Sequence, residues 1–226
     1  MPDLISGDRR AHLYSLERWQ YEALDISLWH ERTEYMVALL RRYLSNRGEQ
    51  DADLEILEFG CGSMALESML REGGFTRARY IPSDCHARDE RTLVLDLNAP
   101  DFLDSVPAVD VIFMGGVLEY LDRAESVLDA LSKKARYLFF SYCPRVASQT
   151  EADRLGWKNH WTPGEALAIA NDLGDGVMSE SGFDPSAPKP VHTYFVASRN
   201  WWRPELAAAA GPLPKIHDRP VRCPSG

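Results

Sequence analysis

The stretch LEILEFGCGS (residues 54–63) decides the fold. Its apolar positions form a run as long as a short buried strand, and the run ends in the acid Glu58. Gly60 and Gly62 follow, and they allow a backbone geometry and a close ligand approach that a side chain would block. A helix that begins near Ser63 points its free backbone N–H groups back at this turn. The stretch therefore predicts a nucleotide-sized site at the carboxyl end of a strand, where open α/β sheets bind ligands.

The glycine pair alone does not distinguish a ligand site from an ordinary turn. Short glycine pairs after a strand are common in turns that bind nothing. A dinucleotide-binding fingerprint has a third glycine three residues after Gly62, and Ala65 stands there. The Gly-Lys-Ser/Thr ending of a P-loop is also absent from this turn. Both interpretations stay open for the turn by itself.

Further strands are predicted downstream, and several of them end in an acid or in glycine. The predicted strands cover residues 78–84, 92–98, 110–116 and 136–142. Between the last two, apolar residues mark one face of a helix, with some drift in their spacing; they are Leu118, Leu121, Val127, Leu128 and Leu131. Strands that alternate with helices predict a parallel sheet with right-handed crossovers.

Asp84 ends the second predicted strand, a little over twenty residues beyond the glycine turn. That spacing suits a carboxylate that accepts hydrogen bonds from ribose hydroxyls, as in other nucleotide-binding folds. The alternative is an aspartate that only shapes a turn or caps a helix.

Together these motifs resemble the class I S-adenosylmethionine-dependent methyltransferases. The matching segments are EFGCG (58–62), Asp84, DLN (96–98), GVLEYL (116–121) and HWTPGE (160–165). The fourth segment is similar to the V-L-E-H-L signature of many small-molecule methyltransferases, with tyrosine where histidine is common. The resemblance covers roughly residues 50 to 200. Met64 departs from it, because the family often has a third glycine there, and the region after Leu173 matches poorly.

The resemblance implies a Rossmann-like three-layer α/β sandwich. Its sheet is expected to be mostly parallel and seven-stranded, with an antiparallel edge strand formed by residues 192–197. The expected division is a helical cap (1–50), an S-adenosylmethionine-binding methyltransferase domain (51–203) and a C-terminal tail (204–226). Aromatic residues of the cap either shape a substrate pocket or simply pack the helices on the sheet; they are Trp19, Tyr21, Trp29 and Tyr35.

The resemblance also implies the site residues. The cofactor S-adenosyl-L-methionine is expected to contact Glu58, Gly60, Cys61, Gly62, Asp84, Asp96, Leu97, Met114, Gly115 and Glu119. His160 and Tyr120 are the catalytic candidates, and His160 attracts notice because imidazole titrates near neutrality. The alternatives are a structural or exposed loop histidine and a packed aromatic. Thr162 and Glu165 predict a capping box at the start of a helix.

No metal site is predicted. Glu119 and Asp122 follow the fourth strand, but the segment YCPR (142–145) after the fifth has no acid until Glu151, and its arginine opposes a cation. None of the four cysteines stands in a C-x-x-C pair.

The composition favours a cytoplasmic enzyme that does not bind nucleic acid. The chain has 226 residues, enough for one sizeable domain, and a formal net charge of −9, which argues against nucleic acid as a dominant partner. No apolar run approaches membrane-spanning length, and the cysteine usage suits a reducing compartment. A homodimer is compatible with these features.

Three functions fit the sequence. The first is methyl transfer from S-adenosylmethionine to oxygen or nitrogen of a small molecule, such as a sugar, a glycan precursor or a natural-product intermediate. The second is other nucleotide chemistry on the same fold, such as a dehydrogenase, against which Ala65 and the turn at Asp96 argue. The third is a module that binds S-adenosylmethionine without catalysis.

Overall fold

The computed structural model describes residues 27–49, 52–144, 157–181 and 192–198. Trp19, Tyr21, the side chain of Trp29 and the predicted tail 204–226 lie outside the described part of the structure. The strands are β1 (Glu55–Phe59), β2 (Arg79–Asp84), β3 (Leu93–Val94), β4 (Val109–Gly115), β5 (Ala135–Tyr142), β6 (Asp175–Ser181) and β7 (Thr193–Ser198). The helices of the described residues are α1 (Ser27–Ser45), α2 (Ala65–Glu72), α3 (Ala124–Leu131) and α4 (Pro163–Asp172).

One sheet contains all these strands in the order β3-β2-β1-β4-β5-β7-β6. The strands from β1 to β5 pair in parallel, and β7 runs antiparallel to both of its neighbours, β5 and β6. The expected antiparallel strand is therefore confirmed, but its expected position at the sheet edge is wrong. The segment DGVMSES (residues 175–181) forms β6 beyond it and takes the edge. This segment has no long apolar run, so its sequence pattern hardly indicates a strand.

The third strand is much shorter than the predicted 92–98. Only Leu93 and Val94 pair with β2. The chain then turns, because the Asp96 carboxylate accepts a hydrogen bond from the backbone N–H of Asn98 at 2.9 Å. An aspartate side chain that bonds backbone two residues later is a common way to end extended structure.

Alternating residues of the strands separate the core into two faces. On one face, Leu57 and Phe59 join the cluster that packs against α3 and α4. On the other, Ile56 joins the cluster beneath α1 and α2. The period-2 alternation of strand side chains thus produces the predicted three-layer sandwich.

The drift in the spacing of the predicted helix has a structural cause. Residues Leu118–Tyr120 form a 3-10 turn, and α3 begins only at Ala124. The predicted capping box at α4 is confirmed, since Thr162 and Glu165 each bond the other's backbone N–H. None of the helices in the described parts of the chain is both long and apolar enough to cross a membrane.

Candidate functional site

A cleft opens at the carboxyl ends of β1, β2 and β4, with a cavity volume of about 140 Å³. Glycine turns, strand-end acids and a few apolar side chains line it. The lining residues are Phe59, Gly60, Gly62, Asp84, Cys85, Arg88, Leu95, Asp96, Leu97, Asn98, Gly115, Gly116, Val117, Tyr120 and Leu121. The cleft lies where parallel α/β sheets bind ligands.

The glycine turn after β1 requires glycine at its first position. Gly60 has a φ of +69° and a Cβ there would lie 2.5 Å from Cγ2 of Val117. Gly62 has a φ of +46°, and a Cβ there would meet only the Gly60 carbonyl oxygen at 4.0 Å. Met64 also adopts a left-handed φ of 56° just before α2, so it keeps the backbone conformation for which glycine is favoured.

Asp84, the acid at the end of β2, links the glycine turn after β1 to the cleft through a hydrogen bond. The backbone N–H of Gly62 donates to Oδ2 of Asp84 at 3.0 Å. Arg88 places Nε 3.2 Å from Oδ2 and Nη2 3.2 Å from Oδ1. The Cys85 thiol and the His86 backbone N–H donate to Oδ1 at 3.3 and 3.4 Å. The carboxylate is buried, so its charge is held by Arg88 and by these donors.

Glu58 lies near the end of β1, outside the lining of the cleft, and its half-buried environment disfavours a charged carboxylate. Burial raises its pKa to about 8, although the Tyr80 hydroxyl donates to it and the Arg32 charge acts in the opposite direction. A buried carboxyl that stays protonated near neutrality is uncommon away from functional sites.

The turn after β4 is closely covered by α1. Gly116 has a φ of +66°, and a Cβ there would clash with the Arg32 guanidinium and lie 3.4 Å from Cε1 of His192. Gly116 donates its N–H to the Ser141 hydroxyl at 3.0 Å. A side chain at Gly115 would lie 3.2 Å from Nε of Arg32. Glycine at both positions therefore lets an arginine from the N-terminal helix reach the cleft wall.

Three side chains converge beside this turn, and we call them the Glu–Cys–His cluster (Glu119, Cys143 and His192). One potential ligand atom from each lies within 4.8 Å of the other two. Oε1 of Glu119 accepts the backbone N–H of Cys143 at 2.8 Å, while Oε2 of Glu119 and Nδ1 of His192 are buried without a hydrogen-bond partner among the described residues.

Electrostatics in the cluster favour neutral groups. Burial raises the pKa of Glu119, and burial together with that carboxyl raises the pKa of the Cys143 thiol. Burial and the Arg32 charge lower the pKa of His192 to about 3, so its imidazole is neutral. A cation in the cluster would have to share the space with Arg32, and the expectation that no metal is bound stays a prediction.

The two catalytic candidates are placed differently. Tyr120 lines the cleft, and burial raises the pKa of its phenol to about 12 despite a hydrogen bond with Trp157. His160 is half-buried and is not among the lining residues. Its neighbour Asn159 donates from its amide to two backbone carbonyls of the 118–121 region, so the segment is held beside the turn that follows β4.

The structure brings a large part of the predicted cofactor set into one cleft: Gly60, Gly62, Asp84, Asp96, Leu97 and Gly115. Four predicted residues are not among the lining residues: Glu58, Cys61, Met114 and Glu119. Of these, Cys61 is buried with its N–H on the carbonyl of Ser83 at 3.0 Å, and Met114 is fully buried.

Three residues near the cleft are not predicted by the sequence patterns: Arg32, Arg88 and His192. An arginine four residues after a strand-end acid was visible in the sequence, but Arg32 and His192 reach the site only through the packing of α1 and β7. Tyr35 packs on Tyr194 with ring centroids 4.3 Å apart, which fits the simpler packing role for a cap aromatic.

No protein-family model matches the chain, and no curated protein matches its sequence. Solved structures do match its fold. The 1,6-didemethyltoxoflavin-N1-methyltransferase of Burkholderia thailandensis, solved with bound 1,6-didemethyltoxoflavin and S-adenosylhomocysteine, is 12% identical with a TM-score of 0.60, over 88% of this chain and 92% of that one. The plantazolicin methyltransferase, solved with S-adenosylhomocysteine, is 12% identical with a TM-score of 0.60, over 85% and 96%.

A third match is an S-adenosylmethionine-dependent methyltransferase from Archaeoglobus fulgidus, 16% identical with a TM-score of 0.52, over 74% of this chain and 94% of that one. The strand order with β7 reversed and these likenesses agree. The chain has the fold of the class I S-adenosylmethionine-dependent methyltransferases.

Proposed function

We propose that this protein transfers a methyl group from S-adenosylmethionine to oxygen or nitrogen of a small-molecule acceptor. The observation that carries the proposal is the hydrogen bond from Gly62 to Asp84, because it joins the glycine turn of β1 and the acid of β2 into one cleft wall. The fold of solved methyltransferases, two of them with S-adenosylhomocysteine, supports this assignment.

The cleft suits an adenosyl ligand along its length. Asp84 is the acceptor for ribose hydroxyls. Asp96 is exposed at the cleft and suits an amino group of adenine, and Leu97 beside it offers an apolar contact. Gly60, Gly62 and Gly115 leave room for the rest of the cofactor at the cleft, and the buried Cys61 and Met114 support them from outside the lining. Glu58, which is half-buried, and Glu119, which is buried, support the site from outside the lining.

Catalysis on this proposal relies on positioning. When bound, S-adenosylmethionine supplies an electrophilic methyl group, and the protein holds the acceptor in line with it. Tyr120 at the cleft wall is neutral at physiological pH, since its pKa is about 12, and can donate a hydrogen bond to the acceptor. His160 is the candidate for taking a proton, because its segment is held beside the same turn.

The proposal also covers the acceptor, the division of the chain into parts and the place where the enzyme works. The acceptor is a sugar, a glycan precursor or a natural-product intermediate, which the toxoflavin and plantazolicin enzymes support by analogy. Residues 1–50 act as a cap, supported by the reach of Arg32 to Gly116, with 51–203 as the catalytic domain and 204–226 as a tail. The enzyme works in the cytoplasm, without nucleic acid, membrane or metal, and a homodimer is compatible with it.

The experiment is a turnover assay on pooled acceptors. Purified protein is incubated with S-adenosylmethionine and pools of hydroxyl- and amine-bearing small molecules, and S-adenosylhomocysteine release is measured. The control is Asp84→Asn, which keeps the size of the side chain and removes its charge. We expect at least one pool to raise release in the wild type and not in the variant. Tight binding of the cofactor with no turnover in any pool would favour the non-catalytic module.

A further inference from the structure

Asp84 and Arg88 form a two-point ion pair inside the cleft. Nε of Arg88 lies 3.2 Å from Oδ2 and Nη2 lies 3.2 Å from Oδ1, so each carboxylate oxygen receives one arm of the guanidinium fork. Both residues line the cleft, and the side chains of Arg88 and Asp84 are only 16% and 6% exposed. This is the parallel geometry in which arginine binds carboxylates most specifically.

The carboxylate has no acceptor capacity left. Its two oxygens offer about four lone-pair positions. Oδ2 accepts from Gly62 and Arg88. Oδ1 accepts from Arg88 and, more weakly, from the Cys85 thiol at 3.3 Å and the His86 N–H at 3.4 Å. A vicinal diol would donate two parallel hydrogen bonds to the same two oxygens. The diol and the guanidinium fork therefore compete for one face of Asp84.

We propose that Arg88 is a specificity residue that occupies the ribose-binding face of Asp84 and yields only to a ligand with a vicinal diol. The inference rests on the proposed function, since it takes the ligand of the cleft to be an adenosyl compound. A nucleoside that lacks the diol has nothing to offer Asp84 in exchange, so it binds with Arg88 still in place.

The backbone at Arg88 is held independently of the side chain. Its backbone N–H is fixed by the Thr92 hydroxyl at 3.0 Å, so the long side chain can move while the loop stays. Gly62 continues to hold Asp84 through Oδ2 after that movement. Arg91, three residues later, pairs instead with Glu67 and Asp89 outside the cleft.

A diol ligand can bind only to molecules in which Arg88 has left Asp84. Its apparent affinity is therefore the intrinsic affinity multiplied by the fraction of molecules in which Asp84 is available. If the pair at the edge of the cleft contributes about 1 kcal/mol, the upper end of the range for exposed ion pairs, its loss corresponds to about fivefold in affinity. Arg88→Met is therefore expected to tighten binding of a diol ligand roughly three- to tenfold.

Calorimetry on the full chain tests this with S-adenosylhomocysteine, adenosine and 2′,3′-dideoxyadenosine. S-adenosylhomocysteine is used because it has no sulfonium, so losing the arginine charge does not by itself favour it. We expect Arg88→Met to tighten the two diol ligands and to leave the dideoxy ligand unchanged. Arg91→Met, an exposed charge loss nearby, should change none of them.

A second variant, Arg88→Lys, keeps the inference testable if Arg88→Met does not fold. Arg88→Lys keeps the charge but cannot make two parallel bonds, so its gain should lie between those of wild type and Arg88→Met. Weaker or unchanged diol binding in folded Arg88→Met, or an equal gain for the dideoxy ligand, would overturn the inference while the proposed function stands. No binding of S-adenosylhomocysteine to any of the proteins would remove the proposed function and this inference together.

Discussion

Glu58→Gln should make the protein more stable at neutral pH, and by an amount that grows with pH. The folded chain holds this carboxyl with a pKa of about 8, raised from 4.5 by burial. Its contribution to stability is therefore fully present below about pH 4.5 and is lost as pH rises through about 8. Glutamine removes the ionisation, and its amide oxygen can still accept the hydrogen bond from Tyr80.

The magnitude can be worked out from proton linkage. Each pH unit over which Glu58 is ionised only in the unfolded chain lowers the free energy of unfolding by up to about 1.4 kcal/mol. Between pH 5 and pH 7 the difference between Glu58→Gln and wild type should therefore grow by roughly 1–3 kcal/mol. If Glu58 serves the cofactor, the more stable variant should also bind S-adenosylmethionine less tightly, a common trade-off at functional sites.

Urea unfolding at pH 5, 6, 7 and 8 measures the effect. The matched control is Glu55→Gln on the same strand, whose partly exposed side chain pairs with Arg79 at the surface. That substitution should change the free energy of unfolding by less than about 1 kcal/mol, as is usual for surface ion pairs. Parallel stability curves for Glu58→Gln and wild type across this range would refute the reasoning.

The other predictions concern the cleft. Gly62→Arg should abolish binding of S-adenosylhomocysteine in calorimetry, because its side chain enters the cleft. The control Gly74→Arg, which also has a left-handed φ but lies outside the lining, should bind like wild type. Equal binding by both variants would argue against the glycine turn. Asp96→Ala should weaken binding about fivefold, for the loss of one hydrogen bond to an exposed carboxylate, and Asp101→Ala should not; the same titration decides. Turnover should survive exhaustive chelation, and loss that is reversed by added zinc or magnesium would point to a metal in the Glu–Cys–His cluster.

Local sequence patterns predicted the elements whose ends are set by neighbouring residues, namely β1, β2 and the start of α4. The apolar run before Gly60 and the strand-end acid Asp84 predicted β1 and β2 to within a residue or two, because burial and the glycine turn leave few alternatives. The capping box of Thr162 and Glu165 was predictable for the same reason. The third strand was predicted too long, since hydrophobic alternation continued past the point where the Asp96 side chain turns the chain.

Features that depend on tertiary packing could not be predicted. Arg32 and His192 are far apart in sequence and meet only because α1 crosses the turn after β4 and β7 begins beside it. The edge position of β6 depends on pairing with β7, which no local pattern in residues 175–181 indicates. Met64 shows the opposite case. The backbone keeps its left-handed conformation there although the glycine that usually adopts this conformation is replaced by methionine.

Calorimetric titration of the purified chain with S-adenosylhomocysteine and, separately, with NAD⁺ tests the central claim most directly. Both ligands carry an adenosine with a ribose diol, so they differ only in the group attached to the 5′ carbon of that ribose. We expect saturable one-to-one binding of S-adenosylhomocysteine, lost in Gly62→Arg, and no measurable heat with NAD⁺. Binding of NAD⁺ in place of S-adenosylhomocysteine, or of neither ligand by the folded protein, would contradict the assignment.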